Sequence, residues 1–341
     1  MMKIYQVGGS IRDELLGEKP KDKDWLVVES SPEEMIAEGF KPIGKDFPVF
    51  IHPISKEEYA LARTEKKSGY GYKGFTFYFG KDVTLEEDLS RRDFTMNAIA
   101  KDQDGKLIDP FNGLKDIKAG IFRHVSDAFL EDPLRAIRIA RFKTYNHLKD
   151  FKIDDLTQKM LLKISASGEL EKLSKDRVWI EIERSLQSPN ASKFFTLLLD
   201  FKLHEPWLGK LSNSECNNRT SAEIKWAELE SENNFQLGES LPVPNNFKMH
   251  VQLLKALLEC QQECPEDNLI KSIERINFHR NMSEINALLE LEGLSKNKDF
   301  ISKLGKHMLE EDFTALKEAG KDEVRNVKLH LIKQAIKKTY A

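Results

Sequence analysis

The fold is decided by the stretch Gly8-Gly-Ser-Ile-Arg-Asp-Glu-Leu-Leu-Gly17 and by Lys21-Asp-Lys-Asp-Trp25, which follows it closely. One apolar run, Ile4 to Val7, leads into the two glycines, and another, Trp25 to Val28, follows the acidic pair. Short apolar runs bounded by glycine or charged residues are typical of strands, and the longer mixed segment between them is typical of a helix. The predicted order is therefore strand, tight turn, helix and strand.

Two aspartates, Asp22 and Asp24, stand at the entrance to the second strand. Residues i and i+2 of a strand point to the same face, so their carboxylates repel each other unless a cation lies between them. Mg²⁺ prefers oxygen ligands and commonly binds one or two carboxylates together with substrate phosphates. At Gly8 and Gly9, backbone N–H groups are open to a phosphate. The stretch predicts a magnesium and phosphate site, with a solvated acidic loop as the alternative.

The bulk properties exclude several classes of protein. A chain of 341 residues predicts two or three domains, and a net charge of −3 excludes a chain-wide basic field, so nucleic acid would have to bind local patches. Three cysteines argue against a disulfide framework and predict a cytoplasmic protein. No apolar run reaches membrane-spanning length, and the N-terminus enters a strand without a signal peptide, so we expect no membrane association.

Further candidate residues lie between the second strand and residue 98. Glu58 belongs to an alternating segment, so we expect it either on the sheet face that carries the aspartates or in a surface ion pair. The glycine- and tyrosine-rich segment Ser68 to Gly74 predicts a loop that moves during catalysis, or a plain surface loop. Arg91 and Arg92 are adjacent near the end of a predicted helix, so we expect only one of them to reach a site and bind phosphate oxygens. A surface ion-pair cluster is the alternative.

A second dense motif runs from Phe129 to Phe142. Asp132 is placed to cap a helix, and the next residue is a proline suited to its first turn. Arg135, Arg138 and Arg141 follow at spacings of three, which puts three guanidinium groups on one side of that helix. Since like charges repel, the ridge predicts an anionic partner such as a triphosphate or nucleic acid, with solvated arginines paired to nearby acids as the alternative.

The remainder of the chain is predicted to be helical. Amphipathic helices are expected at 154–167, 175–186 and 191–203, then at 249–264, 268–276, 284–291 and 299–309. Residues 209 to 247 are polar and predict a loose connection or a poorly helical insertion. The segment from Lys321 is basic and could lie on RNA phosphates, or simply be solvated.

Together these motifs resemble those of the class II tRNA nucleotidyltransferases, the CCA-adding enzymes, within the polymerase-beta-like nucleotidyltransferase superfamily. The resemblance is carried by Gly8-Gly9-x-x-Arg12-Asp13 with Asp22-x-Asp24, by Arg91-Arg92-Asp93 with Asn97-Ala98, and by Glu131-Asp132-x-x-Arg135 with Arg138 and Arg141. It is close to the bacterial enzyme over residues 1 to about 208, including Gly44 to Pro53, and faint beyond. It implies an α+β fold with a mixed β-sheet in a nucleotidyltransferase head at 1–125, a helical neck at 126–208 and a helical body and tail at 209–341 that bind tRNA.

The resemblance also implies a role for each motif residue. Asp22 and Asp24 would hold Mg²⁺, with Glu58 as the third active-site carboxylate. Asp132 and Arg135 would present an edge that hydrogen-bonds cytosine or adenine. The other implied nucleotide-binding residues, for phosphate, ribose or support of that edge, are Gly8, Gly9, Arg12, Arg92, Arg138 and Arg141. The loop Ser68 to Gly74 would correspond to the loop associated with the switch from C to A addition.

The implied activity is addition of CCA to the 3′ end of tRNA from CTP and ATP, in maturation and repair. Alternatives are a poly(A) polymerase, a tRNA nucleotidyltransferase that adds only CC or only A, and a catalytically silent RNA-binding protein. None of the eight histidines is followed by Asp, so we predict no HD phosphohydrolase domain. A monomer is favoured, although the sequence does not fix the oligomeric state.

Overall fold

In the computed structural model, the chain divides into two compact units, Met1–Gly209 and Lys210–Ala341. The structure describes residues 2–20, 22–43, 49–67, 75–216, 220–314 and 323–341. The predicted moving loop, 68–74, and part of the Gly44 segment, 44–48, lie outside these ranges. The division of the first unit into a head and a neck stays a prediction.

The first unit is built on a mixed sheet. Its strands are β1 (Lys3–Val7), β2 (Asp24–Val28), β3 (Lys41–Ile43), β4 (Val49–Ile51), β5 (Glu58–Leu61), β8 (Ala100–Lys101) and β9 (Leu107–Ile108), in the order β3-β4-β5-β2-β1-β8-β9. Only β2 and β5 pair in parallel, and the other neighbours are antiparallel. A separate hairpin joins β6 (Thr64–Lys67) to β7 (Phe75–Tyr78), and a short parallel pair joins β10 (Ile121–Phe122) to β11 (Lys152–Ile153).

The alternation along β2 places side chains on both faces of this sheet. Leu26 and Val28 lie in one apolar cluster with Val7, whereas Val27 lies in another with Met35. Asp24 precedes Leu26 by two residues and therefore shares its face. The register pairs Val7 with Asp24, so the turn that follows β1 lies directly beside this aspartate.

Helices cover the sheet and then dominate the chain. In the first unit they are α1 (Gly9–Leu15), α2 (Pro32–Ala37), α3 (Leu85–Ser90), α4 (Gly113–Ala119), α5 (Leu134–Phe142), α6 (Asp155–Ala166), α7 (Lys175–Leu186), α8 (Ser192–Asp200) and α9 (Glu205–Leu208). The predicted α+β fold, with a mixed sheet followed by helices, is confirmed. One detail differs: the neck was predicted to be all helical, but β11 lies in it and pairs with β10.

The second unit is helical in its described residues. Its helices are α10 (Ala222–Glu232), α11 (Asn245–Glu259), α12 (Glu266–Ile276), α13 (Phe278–Leu288), α14 (Lys298–Glu310) and α15 (Val324–Tyr340). The prediction that 209–247 is irregular was wrong, because α10 lies within it. The helical period is weak there because residues all around the helix, including Lys225, Trp226 and Glu230, are buried.

The basic helix α15 is not a bare cationic surface. Lys328, Lys333 and Lys338 lie 3.4, 3.3 and 2.5 Å from glutamates of the same unit. These pairs neutralise part of the positive charge of α15. That charge was the basis for predicting that this helix contacts RNA. Among the described residues, no helix combines the length and apolar character needed to span a membrane.

Candidate active site

A cavity of about 620 Å³ opens in the first unit, lined by the β1–α1 turn, the end of α3, α5 with the residues before it, and α7. Among the described residues, its charged lining consists of nine arginines and four aspartates: Arg12, Arg63, Arg91, Arg92, Arg135, Arg138, Arg141, Arg177, Arg184, Asp13, Asp24, Asp93 and Asp132. The ionised lining therefore carries five excess positive charges, in a chain with a net charge of −3. A pocket of this charge suits a polyanionic ligand.

The glycine turn forms one wall of the cavity. Gly8 has φ of +81°, and a Cβ atom built on it would lie 3.0 Å from Nη1 of Arg92 and 3.4 Å from Oδ2 of Asp24. A Cβ atom on Gly9 would lie 3.2 Å from Nη2 of Arg12. The two glycines thus allow the backbone to approach two arginines and one carboxylate closely.

The three predicted metal-site carboxylates differ in their position relative to the cavity. Asp24 lines the cavity, whereas Asp22 is exposed and is not among the described residues that line it. The pairing of Trp25 with Tyr59 puts Glu58 next to Asp24 at the start of adjacent parallel strands. The Trp25 and Tyr59 rings stack 5.5 Å apart on one face, so Asp24 and Glu58 share the other.

These carboxylates offer the oxygen ligands that Mg²⁺ prefers. The described residues contain no group of three or more His, Cys, Asp or Glu side chains that could hold a metal by themselves. Mg²⁺ usually binds through one or two carboxylates and completes its shell with water and substrate phosphates, so Asp24 with one neighbour beside a cationic cavity is a suitable donor set. The roles of Asp22, Asp24 and Glu58 stay predictions.

Arg91 and Arg92 both line the cavity, so the prediction that only one would reach it was wrong. The reason is Asp88, which is fully buried and lies 2.7 Å from Nη2 of Arg91 and 3.2 Å from Nη2 of Arg92. Burial raises the pKa of Asp88, but the two guanidinium groups outweigh it and lower the pKa below its ordinary value. Nε of Arg92 is buried without a hydrogen-bond partner in the described part of the chain. A buried donor without a partner is well suited to an anionic ligand.

A chain of hydrogen bonds links the glycine turn to α5. Arg12 donates to Asp13 from Nε at 2.8 Å and to Asn97 from Nη1 at 2.7 Å. Asn97 donates to Asp93 at 2.8 Å, and Asp93 accepts from Nε of Arg138 at 2.9 Å. Burial alone would raise the pKa of Asp93, but Arg138 and Asn97 lower it to about 2. The carboxylate therefore stays ionised between the two sides of the cavity.

The arginine ridge on α5 is observed, but two of its charges are balanced within the protein. Arg138 pairs with Asp93, and Arg141 lies 2.5 Å from Glu181. Arg135 is buried and donates from Nη1 to the carbonyl of Ala128 at 2.6 Å. Two of the three arginines are therefore paired with acids, as in the alternative, although the partners are Asp93 and Glu181. Binding of an anion by the ridge stays a prediction.

All eight residues predicted to bind nucleotide line the cavity: Gly8, Gly9, Arg12, Arg92, Asp132, Arg135, Arg138 and Arg141. Their binding of a nucleotide stays a prediction. Sequence reasoning missed Arg63, Arg177 and Arg184. Arg177, Glu181 and Arg184 are spaced i, i+4 and i+7, which puts them on one face of α7, and this spacing was visible in the sequence.

Family models match two parts of the chain. Residues 4–123 match the model described as the poly A polymerase head domain. Residues 150–213 match the model described as the probable RNA and SrmB-binding site of polymerase A. The first match contains β1, β2 and the glycine turn, and the second contains α7.

Solved structures of similar fold span nearly the whole chain. An apo form of a CCA-adding enzyme is 22% identical, with a TM-score of 0.70, over 99% of this chain and 90% of that one. The Bacillus stearothermophilus CCA-adding enzyme in complex with CTP is 23% identical, with a TM-score of 0.65, over 97% and 89%. The Thermotoga maritima CCA-adding enzyme complexed with tRNA is 20% identical, with a TM-score of 0.66, over 99% and 91%. These likenesses show a shared fold.

Proposed function

We propose that this chain, in which residues 4–123 match the poly A polymerase head domain, adds CCA to the 3′ end of tRNA. The reaction would use CTP and ATP without a nucleic-acid template and would release pyrophosphate. The main support is one cavity in which the glycine turn, Asp24 and Arg92 face the same space as Asp132 and Arg135. Solved structures of this fold include complexes of CCA-adding enzymes with CTP, ATP and tRNA.

At the phosphate end, the backbone of Gly8 and Gly9 and the guanidinium of Arg92 would bind the triphosphate. A turn without side chains lets N–H groups reach phosphate oxygens, and a guanidinium donates to them in a fork. Asp22 and Asp24, with Glu58 beside them, would hold Mg²⁺ at the reacting phosphate. Bound Mg²⁺ supplies positive charge that activates the attacking hydroxyl and stabilises the leaving pyrophosphate.

At the base end, Asp132 would accept a hydrogen bond and Arg135 would donate one. Cytosine and adenine each carry an exocyclic amino donor close to a ring acceptor, whereas guanine and uracil carry a carbonyl in the matching place. An acceptor and a donor at spacing i, i+3 therefore suit C and A. The protein would supply the edge that a template strand supplies in other polymerases.

A poly(A) polymerase is the second candidate, because both matching family models are described by reference to polymerase A. A tRNA nucleotidyltransferase that adds only A is a third. Both share the head, so the cavity alone does not separate them from the main proposal.

The separating experiment supplies tRNAs that end before C, after C and after CC, with CTP and ATP given singly and together. The proposal expects C to be added to the first two tRNAs and A to the third, with synthesis stopping at CCA. Addition of A to the third tRNA without any C addition would identify the A-adding type. Long A tails on an RNA that is not tRNA would identify a poly(A) polymerase, and a lack of incorporation on every substrate would indicate a silent RNA-binding protein.

A further inference from the structure

A second cavity of the first unit, about 530 Å³ in volume, is lined by the end of α5, by β11 and by α6 and α8. Among the described residues, it shares no lining residue with the candidate active site. Its lining includes three lysines and three aspartates, Lys143, Lys152, Lys193, Asp150, Asp155 and Asp200. These charges cancel, so the second cavity does not suit a polyanion.

The six charges of this cavity are not paired with one another. In the part of the chain that the structure describes, none of them takes part in an ion pair. Lys143 donates from Nζ to the carbonyl of Phe151 at 2.6 Å, which fixes its ammonium group. Burial lowers the pKa of Lys143 and the nearby charge of Lys193 lowers it further, although Asp150 opposes both effects. A bound anion would relieve the repulsion between the two ammonium groups.

The two charged residues that α8 contributes stand at its unfavourable ends. Lys193 lies in the first turn of this nine-residue helix, and Asp200 is its last residue. A cation near the N-terminus and an anion at the C-terminus both oppose the helix dipole. Neither charge is compensated by an ion pair among the described residues. A local rule that is broken without compensation is typical of a functional site.

The spacing along α8 gives the cavity a direction. Lys193 and Asp200 are seven residues apart, so they lie on one face of the helix and about 10 Å from each other along its axis. Leu197 lies between them on that face and is buried, and Phe151 and Phe201 also line the cavity. Along α8 the lining therefore presents a cation, an apolar side chain and an anion in turn. A complementary ligand carries a carboxylate, an apolar chain and an ammonium group in extended order.

We propose that this cavity binds an extended zwitterion, of the class of ω-amino carboxylates and short peptides. Lys193 and Lys143 would donate to the carboxylate of the ligand, Asp200 would accept from its ammonium group, and the chain between them would cover Leu197. The proposal does not depend on nucleotide addition, since the two cavities have separate linings in the described part of the chain.

The test is calorimetry on the full chain with ω-aminooctanoate as the probe. Its extended chain separates the two charged groups by about the distance between Lys193 and Asp200 along α8. Octanoate and octylamine each lack one of the two charges, and γ-aminobutyrate carries both on a shorter chain. We expect ω-aminooctanoate to bind about tenfold more tightly than any of these three compounds, since each of them loses a charged hydrogen bond at one end.

Two variants separate the ends of the site. Lys193→Gln and Asp200→Asn should each weaken binding of ω-aminooctanoate about tenfold, whereas Lys193→Gln should leave octylamine binding unchanged and Asp200→Asn should leave octanoate binding unchanged. Lys159→Gln is the matched control, because Lys159 is an exposed cation of α6 that is not among the described lining residues. Without the probe, urea titration should show no loss of stability in either variant, because each removes a charge that opposes the helix dipole.

Three outcomes would overturn the inference. Equal binding of octanoate or octylamine and of ω-aminooctanoate would show that the cavity selects only for apolar surface, and a lack of ω-aminooctanoate binding would refute the site. A loss of stability in both variants without the probe would give the two charges a structural role instead. CTP affinity, measured on the same variants, should stay at the wild-type value, so a failure of this inference is distinguishable from a failure of the proposed function.

Discussion

Gly8 lies at the proposed phosphate end of the cavity. Its φ of +81° disfavours a side chain, and a Cβ atom there would lie 3.0 Å from Nη1 of Arg92, which would have to shift by a few tenths of an ångström, and in contact with Asp24. The positive φ is a property of the backbone, whereas the close neighbours of the Cβ position are a property of the site. Gly17 has nearly the same φ, +82°, but nothing lies within 4 Å of where its Cβ would be. The pair therefore separates backbone strain from the loss of space in the cavity.

We expect Gly8→Ala and Gly17→Ala to lower the free energy of unfolding by a similar amount, about 1–3 kcal/mol, because both residues would be strained. Only Gly8→Ala should also lower kcat/KM, since its methyl group would push Arg92 or Asp24 aside. Urea titration and steady-state kinetics on the two variants test this. Equal kinetic losses in both would show that strain, and not space, limits activity.

The two aspartates give a second prediction at this scale. Asp22→Ala and Asp24→Ala should each abolish addition of C and of A and leave tRNA binding intact, since Mg²⁺ coordination by carboxylates is lost. Single-turnover incorporation and filter binding measure the two properties, with Asp104→Ala, an exposed carboxylate of the β8–β9 turn, as the control. Normal turnover in Asp22→Ala alone would exclude Asp22 from the proposed metal site. Asp22→Ala is the more informative of the two variants, because Asp22 is not among the described residues that line the cavity.

At the scale of elements, Asp93 joins the segment after α3 to α5 through Arg138. The pKa of its carboxyl is about 2, below the ordinary value of 3.8. A depressed pKa stabilises the folded state fully above the unfolded pKa, and this stability is lost as pH falls through the folded pKa. A difference of this size corresponds to about 2 kcal/mol at neutral pH.

We therefore expect the wild-type chain to lose stability between pH 5 and pH 3 more steeply than Asp93→Asn, by about 1 kcal/mol. Urea midpoints at both pH values for both proteins provide the measurement. Other carboxyl groups titrate in the same window, so the difference between the two proteins is the quantity that counts. Identical pH dependence would show that folding does not lower the pKa of Asp93.

The elements predicted from sequence were those fixed by local contacts. Ser31 with Glu34 and Thr84 with Glu87 form capping boxes in which both partners lie within one turn, so residue type and spacing are enough to indicate them. The helix that begins at Gly113 was missed, because its capping carboxylate lies four residues before it: Asp109 accepts from the backbone N–H groups of Gly113 and Leu114 at 2.7 and 2.9 Å. In the sequence, the segment from this capping aspartate to Gly113 has the composition of a turn and does not indicate the start of a helix.

The residues of the candidate site were likewise predictable where local sequence indicates them, and not where distant contacts decide them. Motif residues at the glycine turn, on β2, just after α3 and on α5 could be named individually, because residue type and spacing indicate them. The partners of those residues could not, because Arg177 is 45 residues from Asp132 and Glu181 is 40 residues from Arg141. Pairing at that distance is decided by how helices pack, and amphipathic spacing in α7 indicates only that one face is used.

At the scale of the whole molecule, the cavity lies within the first unit and the second unit is a separate helical body. We propose that residues 209–341 bind tRNA and contribute little to nucleotide binding. A chain ending at Gly209 should therefore keep its affinity for CTP, measured by calorimetry, and bind tRNA more weakly in a filter assay. Full tRNA affinity in the shortened chain would place the tRNA contacts in the first unit, and loss of CTP binding with intact circular dichroism would give the second unit a role in the cavity.

The ring of Phe142 has a consequence for how a nucleotide is held. The guanidinium carbons of Arg12, Arg138 and Arg141 lie 5.0, 5.5 and 4.4 Å from its centre, so one buried ring contacts arginines from both α1 and α5. In the proposed function this ring would link the phosphate end to the base end, and a nucleotide bound at one end would meet the other at a high effective concentration. The association constant of CTP should be far larger than the product of those of free triphosphate and free cytidine. The two parts of CTP are covalently linked, so binding the second part costs no further translational and rotational entropy.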